Sequence, residues 1–263
     1  MKKIAIIGAG ISGLVFANFL ENDKSCSYKI FEKKNSLNLS DGYGIQLSAN
    51  SVKILNTIGF QKINANDVCL PKKVNFFDAK SSKKICEINI SQFNNINNRY
   101  TTLKRSKLIE FLLKNIPPEK IIYDSDIIDI KNQNRISLLL RGKQTEEFDY
   151  LVAADGVYSK TKQILFKKEG LPEYFKSIAI RGKITNFENS DISIYLGPNF
   201  HFVIYPINQS KEFNFISIIR KNLIEEEMLN TDLFKNSNFV EKLLNQISLK
   251  SKLNLIEKID GIK

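Results

Sequence analysis

Three glycines stand at a spacing that suits phosphate chemistry. They lie in the run Gly8-Ala9-Gly10-Ile11-Ser12-Gly13, directly after the mostly apolar residues 3–7 and before the mostly apolar residues 14–20. In a strand-turn-helix setting each glycine has its own reason to be there. The first permits the tight turn, the second lets a pyrophosphate approach the backbone, and the third lets the helix pack on the strand. The helix N-terminus adds amide donors and a positive dipole. Glu32 closes the next apolar run and is placed to accept hydrogen bonds from ribose hydroxyls, with Lys33 beside it. The pattern predicts a dinucleotide site built from Gly8, Ala9, Gly10, Ile11, Ser12, Gly13, Glu32 and Lys33, and by itself it does not choose between FAD and NAD.

A second candidate is His201, the single histidine of the chain. On a strand, residues 201, 203 and 205 share one face, so His201 and Tyr205 can face one cavity. A histidine titrating near neutrality suits proton removal; the competing reading is a sheet histidine bonded to backbone. Cys26, Cys69 and Cys86 are widely spaced and form no CxxC pair. Neither a zinc site nor a disulfide framework is expected, no metal is required, and a reducing compartment fits.

The elements that must position these residues follow from periodicity. Residues 3–7 read as a strand buried on both faces, 14–20 as a helix, 23–27 as a turn and 28–32 as a second strand, which together make a βαβ unit. Residues 41–44 read as a loop. Ser48 or Asn50 can cap a helix with Val52, Leu55 and Ile58 on its apolar face, ended by Gly59. Residues 74–90 read as short strands around a turn at 79–83. Ser106 is the expected cap of a helix carrying Leu108, Ile109, Leu112 and Leu113, stopped by Pro117-Pro118. Strands are expected at 127–130, 136–140 and, buried, at 150–154, which runs into Asp155-Gly156. Beyond Pro172 the pattern becomes an antiparallel sheet at 177–183, 192–196, 200–205 and 213–220, followed by a helical stretch over 223–247.

With 263 residues, 43% of them hydrophobic, the chain can bury a core as one large domain or two intimate ones. Its net charge of +11 comes from lysines scattered along the whole length, with no block of five or six basic residues. That favours a Lys-rich surface over nucleic-acid binding. The sequence has no uninterrupted apolar run of roughly 18 residues to span a membrane and shows no secretion signal at its start. The expected location is cytoplasmic, without integral membrane contact; a peripheral membrane contact and a homodimer stay open.

The ordered set of motifs resembles the FAD-dependent aromatic hydroxylases, the para-hydroxybenzoate and salicylate hydroxylase type of single-component monooxygenase, over nearly all of the chain. Arg105-Ser106-Lys107-Leu108 is similar to the family's Arg-x-x-Leu, whose arginine touches the flavin nucleotide. The segment from Leu151 through Asp155, Gly156 and Ser159 is similar to the family's Asp-Gly motif, with Lys162 where arginine is usual, so charge is kept and a bidentate fork is lost. Gly44-Ile45-Gln46-Leu47 with Asn50 resembles the stretch that passes beside the isoalloxazine ring, and the segments 196–201 and 205–207 resemble the sheet that covers the substrate pocket.

The resemblance implies an α/β fold: a Rossmann-type FAD-binding domain at 1–72 and 98–170 with an inserted, mainly antiparallel β-sheet substrate domain at 73–97 and 171–263. It implies FAD as cofactor, NAD(P)H and O2 as co-substrates and a small phenolic, salicylate-like aromatic as substrate, with a ubiquinone-pathway hydroxylase as the alternative. Gln46, Arg105, Ile127, Asp155 and Gly156 join the cofactor contacts, and His201 with Tyr205 would take the phenol proton. A third family fingerprint, a Gly-Asp pair, lies just beyond the point where this chain stops, and the sequence contains no Gly-Asp. The corresponding expectation is a truncated or degenerate copy, at the extreme a non-catalytic nucleotide-binding remnant.

Overall fold

The computed structural model describes residues 1–23, 25–37, 39, 43–142, 146–167, 173, 175–185, 189–220 and 259–260. In chain order the elements begin with β1 (Lys2–Ile7), α1 (Ile11–Glu21), β2 (Cys26–Phe31), β3 (Gly44–Leu47), α2 (Ala49–Asn56), β4 (Val68–Cys69), β5 (Lys73–Asp78), β6 (Lys84–Asn89), β7 (Thr101–Lys104) and α3 (Arg105–Leu113). They continue with β8 (Ile121–Ile122), β9 (Ile127–Asn132), β10 (Ile136–Leu140), β11 (Glu146–Phe148), β12 (Tyr150–Ala153), α4 (Lys160–Phe166), β13 (Ser177–Thr185), β14 (Ile192–Leu196), β15 (Phe200–Pro206), β16 (Glu212–Arg220) and β17 (Ile259–Asp260). The chain divides into two compact units, Met1–Asp41 with Ser106–Glu173, and Gly42–Arg105 with Tyr174–Lys263.

The first unit is built on a parallel sheet in the order β12-β1-β2-β8. β1 is central, so Ile4, Ala5, Ile6 and Ile7 are all buried, as a strand covered on both faces requires. Ala5, Ile7 and Phe31 meet Ile127, Ile130, Leu138, Leu140 and Phe148 from the antiparallel sheet β11-β10-β9, and Phe31 stands edge-on to Phe148 at 5.6 Å. α1 packs on β1 and β2 through the fully buried Leu14 and Ala17. Asn18, 2% exposed, donates from Nδ2 to the carbonyls of Leu14 and Leu112, both at 2.8 Å. A buried amide is tolerated when its donors are used, and here it ties α1 to the end of α3.

The second unit holds a seven-stranded sheet, β17-β13-β16-β15-β14-β5-β6, antiparallel except for the β14–β5 pair. Period-two alternation separates its faces. One face is dry and aromatic: Phe202, Ile204, Phe215 and Ser217 are buried, and Tyr195 stacks between Phe77 and Phe202 at 4.9 and 4.5 Å. The other carries Ile192, Tyr205 and Asn214 among the buried residues and half-buried Val203, Ile216, Ile218 and His201. A small sheet, β3-β7-β4, is tied to the large one by Thr102 Oγ1 donating to the Pro206 carbonyl at 2.6 Å, by Cys69 Sγ donating to the Asn208 carbonyl at 3.1 Å, and by the Lys104–Glu212 ion pair at 2.5 Å.

Several local expectations change. β12 is an edge strand, half exposed rather than buried, with Tyr150 at 54%. α3 starts at Arg105, so Ser106 lies inside the helix instead of capping it. α2 ends at Asn56, and Gly59 takes its positive φ of 93° only after the helix is over. β3 replaces the end of an expected loop, and α4, capped by Ser159, is an addition to the expected elements. Residues 42–72 and 98–105, expected with the nucleotide-binding domain, group with the second unit, because β3 ladders onto β7 and both are bonded to the large sheet. The helix expected over 223–247 lies outside the described residues. Among the described residues no helix is long and apolar enough to cross a membrane.

Replacing Asn18 with Ala strips a donor from the Leu112 carbonyl. Asn18→Ala is expected to lower stability by about 1–3 kcal/mol, read from the urea midpoint. Burial pushes the Cys69 thiol up to about 11, so at pH 8 iodoacetamide should label the exposed Cys86 and leave Cys69 unmodified in the folded protein, a difference that peptide mass spectrometry resolves.

Candidate functional site

The glycine turn of the first unit is shaped by steric limits. Gly8 has φ +98°, and a Cβ there would lie 2.6 Å from the Ala154 carbonyl oxygen and 3.1 Å from Asp155 Cα. A Cβ on Gly13 would lie 2.1 Å from the Gly8 carbonyl oxygen. Gly10 differs: a Cβ there would meet nothing within 4 Å, so the backbone at Gly10 faces free space. Gly10 also caps α1 without any side-chain hydrogen bond, and the first amides of a helix have no intrahelical acceptor. An unblocked backbone, free amides and the positive helix end together fit a pyrophosphate.

Glu32 sits across this turn at 8% exposure. Its Oε2 accepts from the Ala9 amide at 2.9 Å and its Oε1 from the Lys34 amide at 3.1 Å. The carboxylate therefore orders the turn, and each oxygen keeps a lone pair for a ribose hydroxyl. Lys33 is exposed next to it. Asp155 lies against Gly8, and its carboxylate is engaged in a helix cap: it accepts from Ser159 Oγ at 2.6 Å and from the Thr161 amide at 3.0 Å, while Ser159 Oγ accepts from the Lys162 amide at 3.0 Å. Gly156 turns the chain with φ +79°. Ile127 is a core residue, 4% exposed; its side chain is spent on packing, which leaves only its backbone for a cofactor contact.

Gln46, Arg105, His201 and Tyr205 belong to the second unit. Arg105 follows β7 directly, and its amide donates to the Tyr43 carbonyl at 2.7 Å. Gln46 lies opposite Thr102, and its Oε1 accepts from Tyr100 Oη at 2.6 Å. His201 and Tyr205 share a face of β15, opposite Ile218 and Asn214 of β16. Their surroundings differ. His201 is half exposed, whereas Tyr205 is 4% exposed and packs with Ile90, Ile192 and Ile207. Burial pushes the Tyr205 phenol well above its ordinary range, against the nearby Arg181 guanidinium and hydrogen bonds from Gln46 and Asn214. At neutral pH Tyr205 is protonated, a donor and not a base.

The NAD(P)-binding Rossmann-like domain model matches residues 6–40, the β1–α1–β2 segment with Glu32. A 3-amino-4-hydroxybenzoate 2-monooxygenase of Streptomyces platensis is 25% identical over 227 residues, covering 82% of this chain and 56% of that protein. In sequence the chain is similar to flavin-dependent monooxygenases of this kind. A chloroplastic zeaxanthin epoxidase of an Oncidium hybrid cultivar is 27% identical over 226 residues, 80% of this chain and 33% of its own length. In fold, a salicylate hydroxylase in a substrate complex superposes with a TM-score of 0.77 at 14% identity, over 99% of this chain and 67% of the other. Klebsiella pneumoniae HpxO, complexed with FAD and uric acid, gives 0.74 at 16% identity, over 92% and 64%. The chain thus spans little more than half the length of the Streptomyces relative.

The structure also brings together residues that the sequence pattern does not single out. Asn214 is buried between Phe213 and Phe215, and its Oδ1 accepts from the Gly44 amide at 2.7 Å. Tyr100 bonds Gln46, and Arg181 lies 5.9 Å from the Tyr43 ring centre. The available signal was Asn214 itself, the one amide side chain in a mostly apolar strand, which must find partners once buried.

The glycines separate under substitution. Gly13→Ala drives a Cβ into backbone and should cost about 1–3 kcal/mol or abolish folding, whereas Gly10→Ala should leave stability within about 0.5 kcal/mol of wild type, with thermal melting as the check.

Proposed function

We propose that the chain acts as an FAD-dependent monooxygenase that hydroxylates a small phenolic aromatic of salicylate type, with NAD(P)H and O2 as co-substrates. The observation that carries this reading is the glycine turn, with its free approach at Gly10, the uncapped N-terminus of α1 and the Glu32 carboxylate across it. Relatives named for hydroxylated aromatic acids, among them the Streptomyces monooxygenase and salicylate hydroxylase, support the substrate class.

FAD, when bound, would supply the redox chemistry that couples oxidation of NAD(P)H to the transfer of one oxygen atom of O2 to the ring, the other leaving as water. The chain's own residues do the rest. The amides and dipole at the start of α1 neutralise the pyrophosphate. Glu32 accepts the ribose hydroxyls, Arg105 offers its cation to the nucleotide, and Gln46 contacts the flavin. His201 takes the phenol proton, because an electron-rich phenolate is the better acceptor of oxygen and a half-exposed imidazole can pass the proton on to water. Tyr205, buried and protonated, donates a hydrogen bond and does not compete as a base. The half-buried apolar side chains of Val203, Ile216 and Ile218 on the same face exclude water from a ring laid against them.

Purified chain mixed with FAD and desalted should retain the visible bands of oxidised flavin and oxidise NADH faster when salicylate-like phenols are present. A folded but colourless protein would overturn FAD retention by this chain, and turnover only with polyprenylated phenols would overturn the substrate class. Gly10→Ala should lose at least about tenfold in FAD affinity, roughly 1.4 kcal/mol, with melting unchanged. His201→Gln should lower turnover by about 10²–10⁴, without weakening FAD.

A further inference from the structure

β3 is held in place by side chains to which the proposed reaction gives no role. The Gly44 amide donates to Asn214 Oδ1 at 2.7 Å, and Asn214 is 2% exposed. A Cβ on Gly44 would lie 2.6 Å from Asn214 Cβ and 2.7 Å from Tyr205 Cε2, so strand and sheet meet as closely as a glycine allows. Asn214 and Tyr205 are cross-strand partners on β16 and β15. The Asn214 and Gln46 side chains lie near enough to the Tyr205 phenol to oppose the upward push of burial on it. Tyr100, which packs against the same cluster as Tyr205, donates from Oη to Gln46 Oε1 at 2.6 Å. With Oε1 occupied by a donor, the NH2 group of Gln46 is left to donate elsewhere, and its amide has one orientation. Thr102, opposite Gln46, fixes the neighbouring strand through the Pro206 carbonyl.

We propose that Asn214 and Tyr100 are positioning residues for the flavin: Asn214 fixes the backbone of β3 at Gly44, and the two together fix the Gln46 side chain in the orientation that meets the isoalloxazine ring. This rests on the reading of the chain as FAD-binding. Each residue acts through Gln46 and the β3 backbone and touches no reacting atom. A purely packing role would cost stability and leave a bound flavin unchanged.

The test uses Asn214→Ala, Asn214→Asp, Tyr100→Phe, Gln46→Ala and the double variant Asn214→Ala/Gln46→Ala in the full chain, with FAD affinity, the visible spectrum of bound FAD and melting as readouts. Asn214→Asp keeps the acceptor for the Gly44 amide. Asn214→Ala is expected to weaken FAD by about tenfold, the loss of one hydrogen bond to a buried group, and to shift the flavin bands. Asn214→Asp should stay within about threefold. The double variant should lose less than the sum of the two single losses, because coupled residues are not additive. Wild-type affinity and spectrum in Asn214→Ala, or fully additive losses in the double variant, overturn the proposal. If Asn214→Ala does not fold, Tyr100→Phe decides, since it removes one hydroxyl from a half-buried residue; an unshifted spectrum there overturns it. If the wild-type chain binds no FAD, the functional reading fails separately, and hydrogen exchange of the unliganded protein tests the anchoring. Amides of residues 44–47 should then exchange about tenfold faster in Asn214→Ala, and equal rates overturn the anchoring.

Discussion

The first unit depends on one close approach, between the carbonyl of Gly8 and the α carbon of Gly13. No side chain fits between them: a Cβ on Gly13 would sit 2.1 Å from that oxygen. The approach lets α1 begin in the same turn that ends β1, so the helix packs back over β1 and β2 and buries Leu14 and Ala17. It also leaves the Ala9 amide pointing at Glu32, which draws the end of β2 to the turn. The same turn presses Gly8 against Ala154 and Asp155 at the end of β12. Three strand ends and one helix end converge because two residues lack side chains, and in a parallel sheet that convergence is where a ligand is received.

The second unit answers a different constraint, the need to use both faces of one sheet. Its dry face is closed by stacked aromatic rings and carries buried hydroxyls at Ser193 and Ser217. The opposite face mixes apolar side chains with an amide, a phenol and an imidazole, and β3-β7-β4 is bonded to it at Gly44, Thr102 and Lys104. Buried polar groups are costly unless satisfied. On this face they are satisfied by a second layer of backbone, which converts a polar liability into a fixed geometry.

The first unit was largely legible in the sequence because its signals are local. A β-branched run, three glycines, a helical repeat and a closing acid lie within residues 3–32, and each has a backbone reason that needs no distant partner. The antiparallel strands of the second unit were legible for the same reason, since alternation is a period-two property. What escaped depended on partners far along the chain. Gly44–Leu47 is too short to read as a strand until Thr101–Lys104 pairs with it. Asn214 gains its meaning from a contact 170 residues away. Tyr150–Ala153 reads as buried, but its apolar side chains are those of an edge strand with only one neighbour. The expected domain boundaries at 72 and 98 fell where the strand pattern changed, whereas the compact units divide where ladders end.

Tyr205 and His201 illustrate how far a pattern can carry chemistry. Spacing alone gives two side chains on one face of a strand and therefore invites one shared role, the removal of a proton. Burial separates them. At 4% exposure a phenolate at position 205 would lose its hydration, and the Gln46 and Asn214 amides and the Arg181 guanidinium do not restore it, so the phenol stays protonated. The imidazole four residues earlier keeps access to water, which the proton-accepting role proposed for it requires. The strand sets which groups can meet a ligand, and the depth at which each is held sets whether it gives a proton or takes one.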